Sequence, residues 1–239
     1  MCRRMRHLKP REIQGCQLAL DASIATSLYD ATSGGSFVAA DGTVARWEDQ
    51  SGNGNHVTQA TSGNRPLRKV AAKKGLDALL FDATNDRLIN ASISVATPQT
   101  LFAFGAAAVQ GVFIDSYASS QCVAYRGGGG DQDNKFGAAN NAVLSTIADD
   151  SLDGGLVATF QSGAATLQRG RVSASSAGAF TNTLNGVSVG NLRGNPSPLD
   201  LKYALDGYMC ETAVWNRVLP DAVRLRLNDS RSRKWRTDR

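Results

Sequence analysis

Histidine, glutamate and long apolar runs are all in short supply here, and each shortage closes off a class of function. The two histidines, His7 and His56, stand far apart, so a Ser-His-Asp triad would have to use His56, and no Gly-x-Ser-x-Gly elbow accompanies it. The four cysteines, Cys2, Cys16, Cys122 and Cys210, form no Cys-x-x-Cys pair, which argues against zinc and a thioredoxin-like motif and leaves them as small buried hydrophobes. The run Gly127 to Gly130 lacks the Lys-Ser/Thr of a phosphate loop and reads as a hairpin tip. No stretch approaches the ~20 apolar residues of a membrane span. The basic start, Met1 to Pro10, leads into no apolar segment of the kind a secretory signal carries.

What is present is small and turn-rich. With 24 glycines among 239 residues, 42% hydrophobic and 20% charged positions, the composition suits a globular β protein of one domain. The net charge of +5 is unevenly spread. Residues 1 to 12 hold Arg3, Arg4, Arg6, Lys9 and Arg11 against Glu12, net +4, and residues 224 to 239 hold seven bases against Asp229 and Asp238, net +5, so the body between them is net −4. Basicity confined to the ends reads as solvated tails rather than a nucleic-acid groove, and no base-reading motif accompanies it.

Along the chain, short apolar stretches alternate with turns. Gly15 to Asp21 reads as a first strand, Val44 to Trp47 as a second, and Ser51-Gly52-Asn53-Gly54-Asn55 as a tight turn and exposed loop built from residues that tolerate positive φ. Arg65-Pro66 opens an irregular basic stretch. Further strands are expected at Leu76 to Asp82, Arg87 to Ile89, Leu101 to Ala108, Gly111 to Asp115, Gln121 to Tyr125, Ala142 to Ile147, Leu156 to Gln161, Ala164 to Val172, Val187 to Gly190 and Tyr208 to Trp215. That rhythm, without helical periodicity between, predicts a sandwich or jelly roll. One helix is expected, with Pro220 at its first position, Asp221 favoured by the dipole, Leu219, Val223 and Leu227 on one face and cations at its end. The domain plan is a basic arm over 1–14, a sandwich over 15–219 and a helix with basic tail over 220–239.

Four segments carry a resemblance: GCQLALDAS (Gly15 to Ser23), VARWEDQSGNGNH (Val44 to His56), LDALLFDATNDRL (Leu76 to Leu88) and the stretch Gly207 to Trp235. In this order they resemble the laminin-G-like branch of the concanavalin A-like lectin/glucanase superfamily. Two positions depart from the pattern: Ala19 stands where relatives commonly have tryptophan, and Asp82-Ala83 stands for Asp-Gly. The resemblance implies a two-sheet antiparallel jelly-roll sandwich with a short C-terminal helix. It also implies that the first and last strands lie side by side, bringing Cys16 and Cys210 within reach, as two packed thiols or, in an oxidising compartment, as a disulfide.

Glycanases of this scaffold carry closely spaced glutamates on one strand, since acid and nucleophile flank one bond at ~5 to 5.5 Å in a retaining enzyme. Here Glu12, Glu48 and Glu211 stand alone, and the expectation is therefore no catalysis. Calcium is the expected cofactor, bound by Asp82, Asn85 and Asp86, with Asp131, Asp133 and Asn134, and Asp149, Asp150 and Asp153, as weaker clusters; Asp and Asn also form ordinary turns. Trp47, Trp215 and Tyr208 lie within strands and read as core rather than as sugar platforms. The sequence thus points to an adhesion or decoration module, a capsid or tail component of a virion, that meets neighbouring protein subunits or glycans at a virion or extracellular surface. The alternatives are a secreted or cell-surface carbohydrate-binding module and, less favoured, a glycoside hydrolase.

Overall fold

The computed structural model describes residues 8–108, 111–117, 121–127, 135–140, 143–148, 153–179, 183–191 and 204–235, with the backbone alone for 121–127, 135–140, 143–148, 153 and 178–179. These residues form β1 (Cys16–Asp21), β2 (Leu28–Tyr29), β3 (Arg46–Trp47), β4 (Val57–Thr58), β5 (Leu67–Lys73), β6 (Leu76–Asp82), β7 (Leu88–Val95), β8 (Gln99–Ala107), β9 (Gly111–Asp115), β10 (Gln121–Gly127), β11 (Lys135–Asn140), β12 (Val143–Ala148), β13 (Asp153–Arg169), β14 (Val172–Ala179), β15 (Leu184–Val189), β16 (Asp206–Trp215) and α1 (Asp221–Trp235). Sheet I runs β14-β13-β8-β16-β6-β5, with β1 also on β16; sheet II runs β12-β11-β10-β9-β15-β7-β4-β3-β2. All pairings are antiparallel, as the jelly-roll reading requires.

The middle of sheet I is buried on both faces, which explains why β8 and much of β16 are apolar without alternation. Leu101 and Ala103 of β8 enter the core between the sheets with Trp47, Phe113 and Val187 of sheet II. Phe102 and Phe104 point the other way, into a second cluster with Trp215, Leu227 and Trp235. That cluster docks α1 on the outer face of sheet I, and burying the Leu227 side chain alone contributes about 2 kcal/mol. Gly190 marks how tightly the inter-sheet core is filled: at φ +87 it lies against Phe81, whose ring a Cβ would meet at 1.9 Å.

Several expectations shift in detail. The basic stretch after Pro66 is a strand, β5, whose Arg68 and Lys69 are half-buried and paired with Asp77 and Asp41, while Val70 and Ala71 are the exposed residues. The segment Ala164 to Val172 is not one strand, because a Gly170-Arg171 turn folds β13 back against β14. Pro220 stands outside α1 and caps it, its carbonyl accepting the amides of Val223 and Arg224 at 2.9 and 3.0 Å. The buried face of α1 is more polar than its leucine spacing suggests, comprising Leu227, Asn228, Ser230, Arg231 and Trp235. At the departure from Asp-Gly, Ala83 adopts φ +64, a conformation that glycine reaches more cheaply.

Strands β1 and β16 do lie side by side, yet their cysteines do not meet. Cys16 pairs with Trp215 at one end of the ladder, whereas the Cys210 carbonyl accepts the amide of Ala22 at the other. Five residues at ~3.4 Å each put them roughly 17 Å apart, and neither is in a disulfide. Burial, then the charge of Asp49, push the Cys16 thiol up to about 12, against a hydrogen bond to the Leu18 carbonyl.

The Trp47 to His56 signature serves β1. Among the described residues its far flank has no strand beside it, and the loop satisfies that edge with side chains. Asp49 Oδ1 accepts the amides of Ala19 at 2.9 Å and Ser51 at 2.8 Å, while Oδ2 accepts Ser51 Oγ at 2.6 Å and the Asn55 amide at 3.0 Å. Asn53 and Asn55 amides donate to the carbonyls of Cys16 and Gln17 at 2.9 and 2.7 Å, and the Gln50 amide donates to the Ala19 carbonyl at 2.7 Å. Gly52 and Gly54, at φ +93 and +72, supply the reversals that a side chain would oppose.

Candidate functional site: a charged cleft beneath the C-terminal helix

A cleft of about 500 Å³ opens where β1, the Gln50 loop, the turn after β1, the N-terminal 3₁₀ turn and the end of α1 meet. A β-bulge builds its floor. The register of β16 against β8 slips between Met209 and Glu211, so Cys210 faces the helix-side cluster and Glu211 is also turned beneath α1, where Arg231 and Trp235 reach it. Bulges commonly re-aim a side chain in this way. Across the ladder Glu211 sits directly opposite Asp21.

The helix brings cations to these two carboxylates. Arg231 Nη1 donates to both Glu211 oxygens at 3.0 and 3.3 Å, and Trp235 Nε1 donates to Oε2 at 2.9 Å. Lys234 Nζ holds both oxygens of Asp21 at 2.7 and 2.6 Å and stands 3.8 Å from Glu211. Burial, then the charge of Asp21, raise the Glu211 pKa above the ordinary carboxylate value, against the pull of Lys234, Arg231 and the Trp235 N–H. Arg231 is 2% exposed and its Nε has no hydrogen-bond partner. The walls add Ser23, which donates to Asp21, and the Lys9 to Arg11 turn. Ala19 lies on the floor, where a larger side chain would fill the space.

The two ends of the chain therefore converge. Leu8 donates its amide to Ser230 Oγ at 3.1 Å, across 222 residues of sequence. The expectation of solvated basic tails is corrected for these residues: Lys9 and Arg11 line the same cleft as Arg231, Arg233 and Lys234. Nothing in the sequence marks that meeting beyond the two basic clusters themselves.

Other residues singled out in the sequence fall elsewhere. His56 Nδ1 accepts the Asp49 amide at 3.0 Å and so belongs to the β1 loop. Trp47 and Trp215 are fully buried, and Tyr208 packs under Lys73. Asp82, Asn85 and Asp86 form one turn. Asp82 Oδ1 accepts the amides of Thr84 and Asn85, and Asp86 Oδ2 accepts that of Asp82 at 3.2 Å. Burial, then the charge of Asp82, push Asp86 up to about 6. Asn85 Oδ1 is buried without a partner among the described residues; two carboxylates and one amide would supply part of the six to eight oxygens calcium takes, with backbone carbonyls and water supplying the rest. Among the described residues no three His, Cys, Asp or Glu side chains converge. Asp131, Asp133, Asn134, Asp149, Asp150 and the Asp153 side chain lie outside the described residues.

The sequence missed one exposed ring. At the end of sheet II, Phe37 is 56% exposed and packs on Tyr29 with centroids 5.1 Å apart, while the Arg46 guanidinium lies 4.1 Å over the Tyr29 ring. No local pattern distinguishes Phe37 from a core phenylalanine.

No protein-family model matches the chain, and no curated protein matches it. Solved structures share its fold. One is a GH54 α-L-arabinofuranosidase soaked with a cyclic sulfate inhibitor, 13% identical, aligned over 90% of this chain and 62% of that one with a TM-score of 0.63. Another is domain 4 of AbnA, a GH43 extracellular arabinanase from Geobacillus stearothermophilus, in complex with arabinotriose, 9% identical over 89% of this chain and 98% of that one, TM-score 0.60. A third is the Trypanosoma rangeli sialidase in complex with sialic acid, 12% identical over 95% of this chain and 34% of that one, TM-score 0.55. The chain thus spans less than two thirds of the arabinofuranosidase it matches. Carbohydrate-active proteins, hydrolases among them, use this sandwich, and at such identity the likeness speaks for fold alone.

These neighbours overturn the expectation that catalysis is absent. That expectation searched for carboxylates spaced along one strand. Asp21 and Glu211 come from opposite ends of the chain and meet only across the β1–β16 ladder, an arrangement no spacing rule sees. Among the described residues no helix is long and apolar enough to cross a membrane.

Proposed function

We propose that this protein is a carbohydrate-recognising, laminin-G-like sandwich that binds a saccharide in the cleft beneath α1, as an adhesion or decoration component of a larger assembly such as a virion. The observation that supports the reading is the cleft itself: a concave space of about 500 Å³ in which hydroxyl, amide and charged groups converge over Ala19, Leu20 and Ile24, the mixture by which small-ligand sites combine apolar contact with fixed orientation. Asp21, Glu211, Arg231 and Lys234 are positioned by strand pairing and helix docking, so these groups lose little order on binding, and Ser23, Gln50 and the Lys9 to Arg11 turn complete the walls.

A glycan array probed with the purified chain, in calcium and in chelator, tests this. Saturable binding of a saccharide class is expected. A folded chain that binds no glycan would overturn the reading and shift weight to protein contacts alone. Binding lost on chelation would support a calcium requirement, and Asp82→Asn/Asp86→Asn would then test whether that turn holds the ion.

A second reading, glycoside hydrolysis, is favoured by one observation: Asp21 and Glu211 face each other at the cleft, with Glu211 raised above the ordinary carboxylate range. Released reducing ends, abolished in Asp21→Asn while the fold is retained, would support it; no release from any bound saccharide would remove it.

A further inference from the structure

Resting on the reading of the cleft as a saccharide site, we infer that its ligand is an acidic saccharide, with the charge carried by a sugar carboxylate. The cleft is lined by five cations, Lys9, Arg11, Arg231, Arg233 and Lys234, and by two carboxylates, Asp21 and Glu211. Both carboxylates already have cationic partners in Lys234 and Arg231. Three positive charges are therefore in surplus at the mouth. The only ion pair that offsets any of them is Lys9 with Glu12, at 3.8 Å with both side chains about half exposed, among the described residues. Such a pair contributes little.

Two further features reinforce the sign. The C-terminal end of a helix normally presents partial negative charge, but here Lys74 Nζ donates to the Arg233 carbonyl at 2.8 Å, bringing a further cation to that end. The buried charge of Arg231, hydrogen-bonded to Glu211 and Ser230, lies against the same cleft. Low-dielectric walls focus the field of such a site and favour an anion entering it. A neutral sugar would leave the surplus unmatched. A uronate places one carboxylate against Arg11 and Arg233 while its hydroxyls meet Ser23 and Gln50.

The surplus is legible in the fold alone. The body of the chain is net −4, so an anion repelled elsewhere on the surface is drawn to the one place where residues 9–11 and 231–234 come together.

The test compares oligogalacturonate with a neutral galacto-oligosaccharide of the same length by calorimetry, on the full chain and on Arg11→Glu/Arg233→Glu. Both positions are exposed, so the variant keeps the fold, checked by its melting profile. Oligogalacturonate binding at least tenfold tighter than the neutral sugar is expected, weakened by salt and by at least tenfold in the variant. Equal binding of both sugars, unaffected by the charge reversal, would overturn the inference and leave the saccharide reading intact. Binding of neither sugar, nor of any glycan on an array, would overturn the saccharide reading itself. Polyglutamate bound as tightly as oligogalacturonate would show a carboxylate site without sugar selectivity and overturn the inference.

Discussion

Two buried carboxylates sit on opposite sides of β1, and they are satisfied in contrasting ways. Asp49, on the loop side, takes donors from neutral groups within six residues of itself and from the Ala19 amide. Glu211, on the ladder side, takes donors from a helix twenty residues downstream, two of them cationic or next to a cation. The first arrangement is closed: every oxygen of Asp49 is used by the loop that it fixes, and nothing is left for a ligand. The second gathers more charge than the carboxylates consume, and it opens on solvent. A knot of neutral donors makes structure, whereas a cluster of mismatched charge beside a cleft makes a site.

The largest effect should come from breaking the second arrangement. Glu211→Ala leaves Arg231 buried without its counter-ion and Trp235 Nε1 without an acceptor, which costs about 3–5 kcal/mol; urea unfolding followed by tryptophan fluorescence measures it. A loss below 1 kcal/mol would mean that α1 is held by apolar contact alone and that the carboxylate is free for chemistry.

Breaking the first arrangement comes next. Asp49→Ala should cost about 2–3 kcal/mol, since several hydrogen bonds to an ionised group vanish at once. Hydrogen exchange should quicken at the Ala19, Ser51 and Asn55 amides and stay slow along α1. Exchange that quickens equally in both places would erase the contrast.

Asp86 sharpens the comparison because it is buried with only one backbone donor among the described contacts. Its pKa in the folded chain is raised to about 6 from 3.8, so the folded state holds its proton more tightly than the unfolded one. The stability this gives is complete below pH ~4 and is lost as pH rises through about 6. Relative to Asp86→Asn, the parent chain should therefore lose roughly 2 kcal/mol between those limits. Melting curves of both across that range decide it, and parallel curves would show that burial leaves Asp86 unperturbed.

The smallest effect concerns Ala83, which holds φ +64. Ala83→Gly should stabilise the chain by about 0.5–1 kcal/mol, as relief of the left-handed strain outweighs the entropy that glycine adds to the unfolded state. A destabilised variant in the same melt would show that the entropy term dominates.

How much could be read beforehand follows the same division between local and distant. The run Asp49-Gln50-Ser51-Gly52-Asn53-Gly54-Asn55 announces a turn because its donors and acceptors are neighbours, and the structure places a turn there. Strands β6 and β9 appear in the sequence with the bounds they have in the fold, since apolar stretches end at turn residues. β5 was hidden because Arg68 and Lys69 interrupt its apolar pattern, their charges being met by Asp77 and by Asp41 from outside the strand, and the β13–β14 turn because a single glycine, Gly170, separates two stretches that each suit a strand. Of the cleft, the two basic clusters, Ala19 and Glu211 were each singled out, but as tails, a departure from a pattern and an isolated carboxylate rather than as one site. Asp21 stood only as the end of a strand, because it is ordinary among its sequence neighbours.

The sequence by itself determined the fold class, the turn after Trp47 and the burial of Trp47 and Trp215, because periodicity and turn chemistry act over a few residues. Only the tertiary structure decided that Cys16 and Cys210 stay apart, that Asp21 faces Glu211, and that two basic ends separated by more than two hundred residues share one cleft. Strand register and helix docking set those distances, and both are fixed by the packing of side chains remote in sequence, which no local pattern encodes.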